Sequence, residues 1–320
     1  MYKSVDVFRF IAAIMVVAIH TQLLREFEIG YYSRSICRIA VPFFFTASSF
    51  LFFKKKTSIT HYLKRIARLY LVWFCLYSPY VVRTFFINNC SFEHNLLHFI
   101  HNLFFHNSFP ASWFLMSSMI SMTLVYYLSR KINNRVLLMI SVLLYVCSLL
   151  SSSYYGIINN EPFITVYKNI DKLFVPSNSF FAALIYVVLG KCIADGMIPT
   201  KRSSILMLML ILPIWLLEIH QVKSIARYND AFVCLPFISF YLTSLLISVE
   251  SKVSKELSMV FRKMSVLIYL MHYIYINLVY MVLNVKVGSI MFVIVMLLVI
   301  PSALIVIKMS KRYKTMEYLL

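Results

Sequence analysis

Apolar runs of about 20 residues recur from one end of this chain to the other, and no other feature limits the fold as much. A run of that length crosses a bilayer as one α-helix. In hydrocarbon only a helix or a closed barrel satisfies its own backbone. The runs are continuous rather than alternating, so the expected fold is all-α. Ten are legible, at 7–24, 36–53, 69–87, 111–129, 136–152, 178–195, 204–220, 230–249, 264–283 and 289–308. They predict one polytopic membrane domain over residues 1–320, with about ten transmembrane helices. A content of 61% hydrophobic and 13% charged residues excludes an ordinary soluble domain.

Ten spans place both termini on one side. If that side is cytoplasmic, it holds 21 of the 31 Lys and Arg residues; the other side holds nine, and Arg9 sits at the entry to the first span. The bias follows the positive-inside rule, so both termini are expected in the cytoplasm and the protein in the cell membrane. The net charge of +19 is therefore a topology signal. Nucleic acid is rejected as a partner, because the basic residues alternate with spans instead of covering one face. Asp6 and Arg9 interrupt the first span and no small-residue cleavage site follows it, which predicts an uncleaved helix rather than a signal peptide. Cys75, Cys147, Cys192 and Cys234 fall in or beside spans as small core residues, and no spacing argues for a Cys37–Cys90 disulfide.

The first span carries Arg9 and, eleven residues later, His20. Eleven residues are close to three turns, so both side chains share a face roughly 16 Å apart, with Ala13, Val16 and Val17 between them. Ionisable groups inside a membrane mark function by default. The competing reading is a histidine tying two helices by a hydrogen bond and an arginine reaching back to the interface. Arg65 and Arg68 stand at i,i+3 in the most basic loop, after Lys54-Lys55-Lys56. Two guanidinium forks on one face suit phosphate oxygens, although an anchor against anionic lipid would also be basic.

The arrangement Arg9-x10-His20, with Phe8, Ala12-Ala13 and Val16-Val17 around it, resembles the opening motif of the membrane acyltransferase 3 family. Pro42-Phe-Phe-Phe45-Thr-Ala-Ser48-Ser49-Phe50 continues the likeness, with Ser49 where the family usually has glycine. These two stretches look especially like the membrane half of vancomycin-resistance-type membrane serine racemases. Arg65-x-x-Arg68 resembles the family pattern tied to the acyl-CoA nucleotide. Trp113-Phe114-Leu115 resembles its Trp-Phe-Leu signature, although Trp113 also suits an aromatic belt. Tyr269-x-x-His272 resembles a further family pattern, and His272 is either structural or on the acceptor side. The resemblance implies transfer of an acyl group, usually acetyl, from cytoplasmic acyl-CoA to a hydroxyl of an extracytoplasmic or lipid-linked glycan. Glycan-assembly enzymes are then the expected neighbours. The candidate catalytic residues are His20, as general base, and Arg9. Arg65, Arg68 and Trp113 are the candidates for holding acyl-CoA.

His94, His98 and His101 stand at i, i+4 and i+7, a spacing that suits zinc or copper. Their neighbours Leu96, Leu97, Phe99, Ile100 and Leu103 make the segment an interfacial amphipathic helix, and no metal is expected. The stretch 153–177, with Tyr154, Tyr155, Asn159, Asn160, Glu161 and Asp171, reads as an outward loop that could face an acceptor. Glu218, His220, Arg227 and Asp230 read as outer loop charges that balance one another or line an acceptor site. No Ser-His-acid triad is legible, which favours direct transfer over a covalent acyl-enzyme. Two other classes stay open: a serine-transport or substrate-delivery domain, and a structural protein with the same fold. The first is opposed by the lack of an inverted repeat or of glycine-interrupted half-helices.

Overall fold

The computed structural model describes residues 2–87, 91–159 and 164–320. Among these residues there are fifteen α-helices and no strand. The first seven are α1 (Lys3–His20), α2 (Ile29–Cys37), α3 (Ala40–Lys54), α4 (Ile59–Leu76), α5 (Ser78–Phe86), α6 (Phe92–Phe105) and α7 (Ser112–Leu128). Then come α8 (Asn134–Ser151), α9 (Tyr155–Ile158), α10 (Ile164–Phe174), α11 (Phe180–Ala194) and α12 (Lys201–Val222). The last three are α13 (Cys234–Ser248), α14 (Lys255–Leu283) and α15 (Ser289–Ser310).

Five stretches are long and apolar enough to cross a membrane: the continuous pair α2–α3 (Ile29–Lys54), α8, α12, α14 and α15. Two pairs bent by 67° (α4–α5) and 44° (Tyr167–Asn178 with α11) bring the number to seven. All ten expected segments contain helix. The other three fall short as simple spans for visible reasons. α1 carries Lys3, Asp6 and Arg9, and α7 and α13 have only 17 and 15 residues. The outward loop at 153–177 is in part helical: α10 occupies 164–174, with Lys168, Asn169, Asp171 and Lys172 lowering its hydropathy. Asn160, Glu161 and Cys90 lie outside the described residues.

The chain divides into two compact units, and the divisions fall inside α3, between α11 and α12, near the end of α12 and just before α13. The first comprises Met1–Ala47, Met197–His220 and Cys234–Leu320. Its centre is the packing of α1 along α14, with α15 against α14. Ala12, Ala13, Val16 and Val17 of α1 are buried to 1% exposure or less. Small residues on that face let two backbones approach closely, which is how helices associate where lipid removes the hydrophobic drive. Phe10 stacks on Phe261 at 5.1 Å, and Phe8 meets Phe43 edge-on at 4.6 Å. Beyond α1, Glu26 caps the start of α15, accepting from the Ser289 backbone N–H at 3.0 Å and from its hydroxyl at 2.9 Å. Its own backbone amide, and then Ser289, hold the Glu26 carboxyl below the usual carboxylate range. Gly288 stands where this approach is closest, since an added Cβ would meet Glu26 Oε1 at 2.1 Å.

The second unit comprises Ser48–Gly196 and Gln221–Val233. Here α11 is buried nearly throughout and packs on α8 and α7, while α4 packs on α7. Ser49, in place of the usual family glycine, is fully buried, and its hydroxyl donates to the Val187 carbonyl of α11 at 2.5 Å. The substitution thus fastens α3 to α11 by a bond that glycine could not make. Of the residues that read as outer charges balancing one another or lining an acceptor site, Arg227 pairs with Asp171 of α10 at 2.6 Å.

Candidate functional site

α1 and α14 are joined by polar groups at two levels. At the first, Asp6 is 1% exposed and accepts from Arg262 Nε at 3.0 Å, Arg262 Nη2 at 2.7 Å and the Ser258 hydroxyl at 2.8 Å. Arg9 lies one turn along α1 from Asp6, with its Nη1 3.6 Å from the same carboxylate. The carboxylate therefore serves two arginines, one bidentate, which is the geometry that makes a buried charge tolerable. At the second level, fourteen residues further along α1, His20 meets α14 again. Its Nδ1 shares a 2.8 Å hydrogen bond with the Tyr273 hydroxyl, and its ring stacks on His272 at 5.2 Å and 27°. Because Asp6 faces residue 262 and His20 faces residues 272 and 273, the two helices run parallel.

His20 is half-buried, and among the described residues no protein group bonds its Nε2. When Nδ1–H donates to the Tyr273 oxygen, Nε2 keeps its lone pair. That is the arrangement a general base needs: one ring nitrogen held, the other open. His272 is fully buried, with Nδ1 3.2 Å from the Ile268 carbonyl oxygen. Tyr269 packs beside it at 6.1 Å, with Phe44 at 6.1 Å beyond. Arg38, at the junction of α2 and α3, is close enough to act electrostatically on His20.

Arg9 and His20 thus share a face of α1 but occupy its two ends, each with its own partners. Arg65 and Arg68 are both exposed on α4, off the face formed by Tyr62, Ile66, Tyr70 and Trp73. Trp113 is half-buried at the start of α7, and its backbone N–H donates to Asn107 Oδ1 at 3.2 Å. Along α6, His101 Nε2 bonds the Leu173 carbonyl at 2.6 Å and His98 Nδ1 bonds Asn102 at 3.3 Å. Among the described residues no three His, Cys, Asp or Glu side chains converge on a metal position. His220, expected among the outer charges, shares a 2.8 Å hydrogen bond with Tyr32. Tyr273, Arg262 and Ser258 are site residues that sequence reasoning does not pick out. Only the neighbouring Tyr269-x-x-His272 pattern points toward their helix.

Apolar helices of spanning length, with an imidazole held at one ring nitrogen between two of them, define a multi-pass membrane protein. Across residues 2–308 the chain matches the acyltransferase domain of the acyltransferase 3 family, and it belongs to that family of membrane acyltransferases. A 204-residue stretch is 32% identical to an amino-acid racemase of Enterococcus faecalis, covering 61% of this chain and 28% of the racemase. A second amino-acid racemase of that organism is 30% identical over 174 residues, 51% of this chain and 24% of its own length. The matched stretches thus span only about a quarter of those relatives. No solved structure matches this chain.

Proposed function

We propose that this protein is a membrane O-acyltransferase, most simply an O-acetyltransferase. It would move an acyl group from cytoplasmic acyl-CoA to a hydroxyl of an extracytoplasmic or lipid-linked glycan. The observation that carries the reading is His20, fixed at Nδ1 by Tyr273 and open at Nε2. In the step we infer, Nε2 takes the proton of the acceptor hydroxyl as its oxygen attacks the thioester carbonyl carbon. The carbon–sulfur bond then breaks, and the departing thiolate receives that proton from the imidazolium. Arg9 supplies a cation at the other end of α1, with its charge shared through Asp6. Arg65 and Arg68, exposed and one turn apart, fit the phosphates of the nucleotide, and Trp113 is assigned a contact to the same ligand.

Replacing Arg65 and Arg68 together by alanine is expected to weaken acetyl-CoA binding by roughly 3–6 kcal/mol, since each charge-assisted bond is worth about 1.5–3. Titration of the purified protein checks this, and unchanged binding would reduce the pair to a lipid anchor.

The parallel course of α1 and α14 supports an odd number of crossings between them, as in a ten-span protein with both termini in the cytoplasm. We place it in the plasma membrane, with glycan-assembly enzymes as partners. Cysteines introduced at 92–110 should then react with an impermeant thiol reagent in intact cells, and cysteines at 54–68 should not. The reverse pattern would invert the orientation.

The racemase relatives support a second reading, in which the domain carries or delivers an amino acid such as serine. Uptake of labelled serine into vesicles holding the purified protein distinguishes the two.

A further inference from the structure

His272 holds a polar atom that the described fold leaves unused. Its Nδ1 faces the Ile268 carbonyl oxygen at 3.2 Å, and a carbonyl can only accept, so Nδ1 carries the proton and Nε2 is a bare lone pair. The residue is fully buried, and among the described residues Nε2 has no hydrogen-bond partner. A buried acceptor left unmade is costly, and such atoms need an explanation. This one belongs to a ring stacked on His20 at 5.2 Å and packed at 4.7 Å against Tyr273, the residue that holds His20. An apolar ring would fill the same volume at lower cost.

We propose that Nε2 of His272 accepts a hydrogen bond from the amide N–H of the acyl-CoA pantetheine arm that lies nearest the sulfur. The assignment rests on the reading of His20 as the base acting at the thioester. In the pantetheine arm that amide is two methylenes from the sulfur, so a thioester presented to His20 brings an uncharged donor beside the neighbouring ring. A neutral imidazole with a fixed tautomer matches such a donor without taking its proton. His272 is on this account a binding residue that sets how far the arm enters, while His20 does the proton transfer.

The test compares acetyl-CoA with an analogue whose amide N–H at that position is replaced by an ester oxygen, by titration into purified protein. The wild type should bind acetyl-CoA about tenfold more tightly than the ester analogue, the value of one net hydrogen bond. His272→Phe keeps the ring stack and removes the acceptor, so it should bind both ligands equally, at the weaker affinity. A full preference retained in His272→Phe would overturn the assignment. So would a wild type that does not distinguish the ligands, a result that stands even if the variant does not fold. If wild type binds both equally but His20 variants still lose transfer, the proposal falls and the enzyme reading survives. If acetyl-CoA does not bind at all, both fall.

Discussion

Replacing His20 by alanine should abolish acyl transfer while acetyl-CoA still binds. General-base catalysis is worth typically 10²–10⁴-fold, so the rate should fall by at least about a hundredfold. Glutamine at position 20 separates chemistry from packing. It can keep a hydrogen bond to the Tyr273 hydroxyl, now 2.8 Å from His20 Nδ1, but it cannot accept a proton at neutral pH. If His20 only ties α1 to α14, His20→Gln should restore much of what His20→Ala loses, in both stability and rate. If His20 is the base, both variants stay inactive while the glutamine variant melts close to wild type. Turnover of labelled acetyl-CoA alongside thermal melts in detergent checks this.

The largest stability effect is expected at the other end of α1. Among the described residues, Arg262→Leu leaves a carboxylate of 2% side-chain exposure with only the Ser258 hydroxyl at 2.8 Å and Arg9 at 3.6 Å. Removing one partner of a buried ion pair costs about 3 kcal/mol or more, because the remaining charge stays desolvated. Replacing both ends by leucine removes the stranded charge and should recover most of the loss. A double-mutant cycle on unfolding free energy measures the coupling. An Arg262→Leu protein as stable as wild type would mean that Arg9 alone suffices for Asp6.

The two levels differ in how much of each is legible in the sequence. The face of α1 from Arg9 through Ala13, Val16 and Val17 to His20 is legible because helical period alone puts those residues together, and three of them are buried to 1% or less. The histidine on α14 is also visible, through Tyr269-x-x-His272. What His20 bonds is not visible, since Tyr273 lies 253 residues away and one position beyond the pattern. The same holds for Asp6, which reads as an interruption of an apolar start until Arg262, 256 residues later, closes on it. Hydropathy finds apolar segments but not bends. It marks 69–87 as one span where α4 and α5 meet at 67°, and it passes over α10, whose polar residues hide a helix. Ser49 stands out against the family glycine, but its bond to Val187 depends on which helix lies opposite.

The most direct test of the central claim is turnover of acetyl-CoA by the purified protein in lipid nanodiscs, with labelled serine uptake measured on the same preparation in vesicles. With water taking the place of the acceptor hydroxyl, the account predicts release of free CoA and acetate from acetyl-CoA in the wild type, loss of that release in His20→Gln, and no serine uptake. Serine uptake that survives His20→Gln, with no CoA released by the wild type, would contradict it.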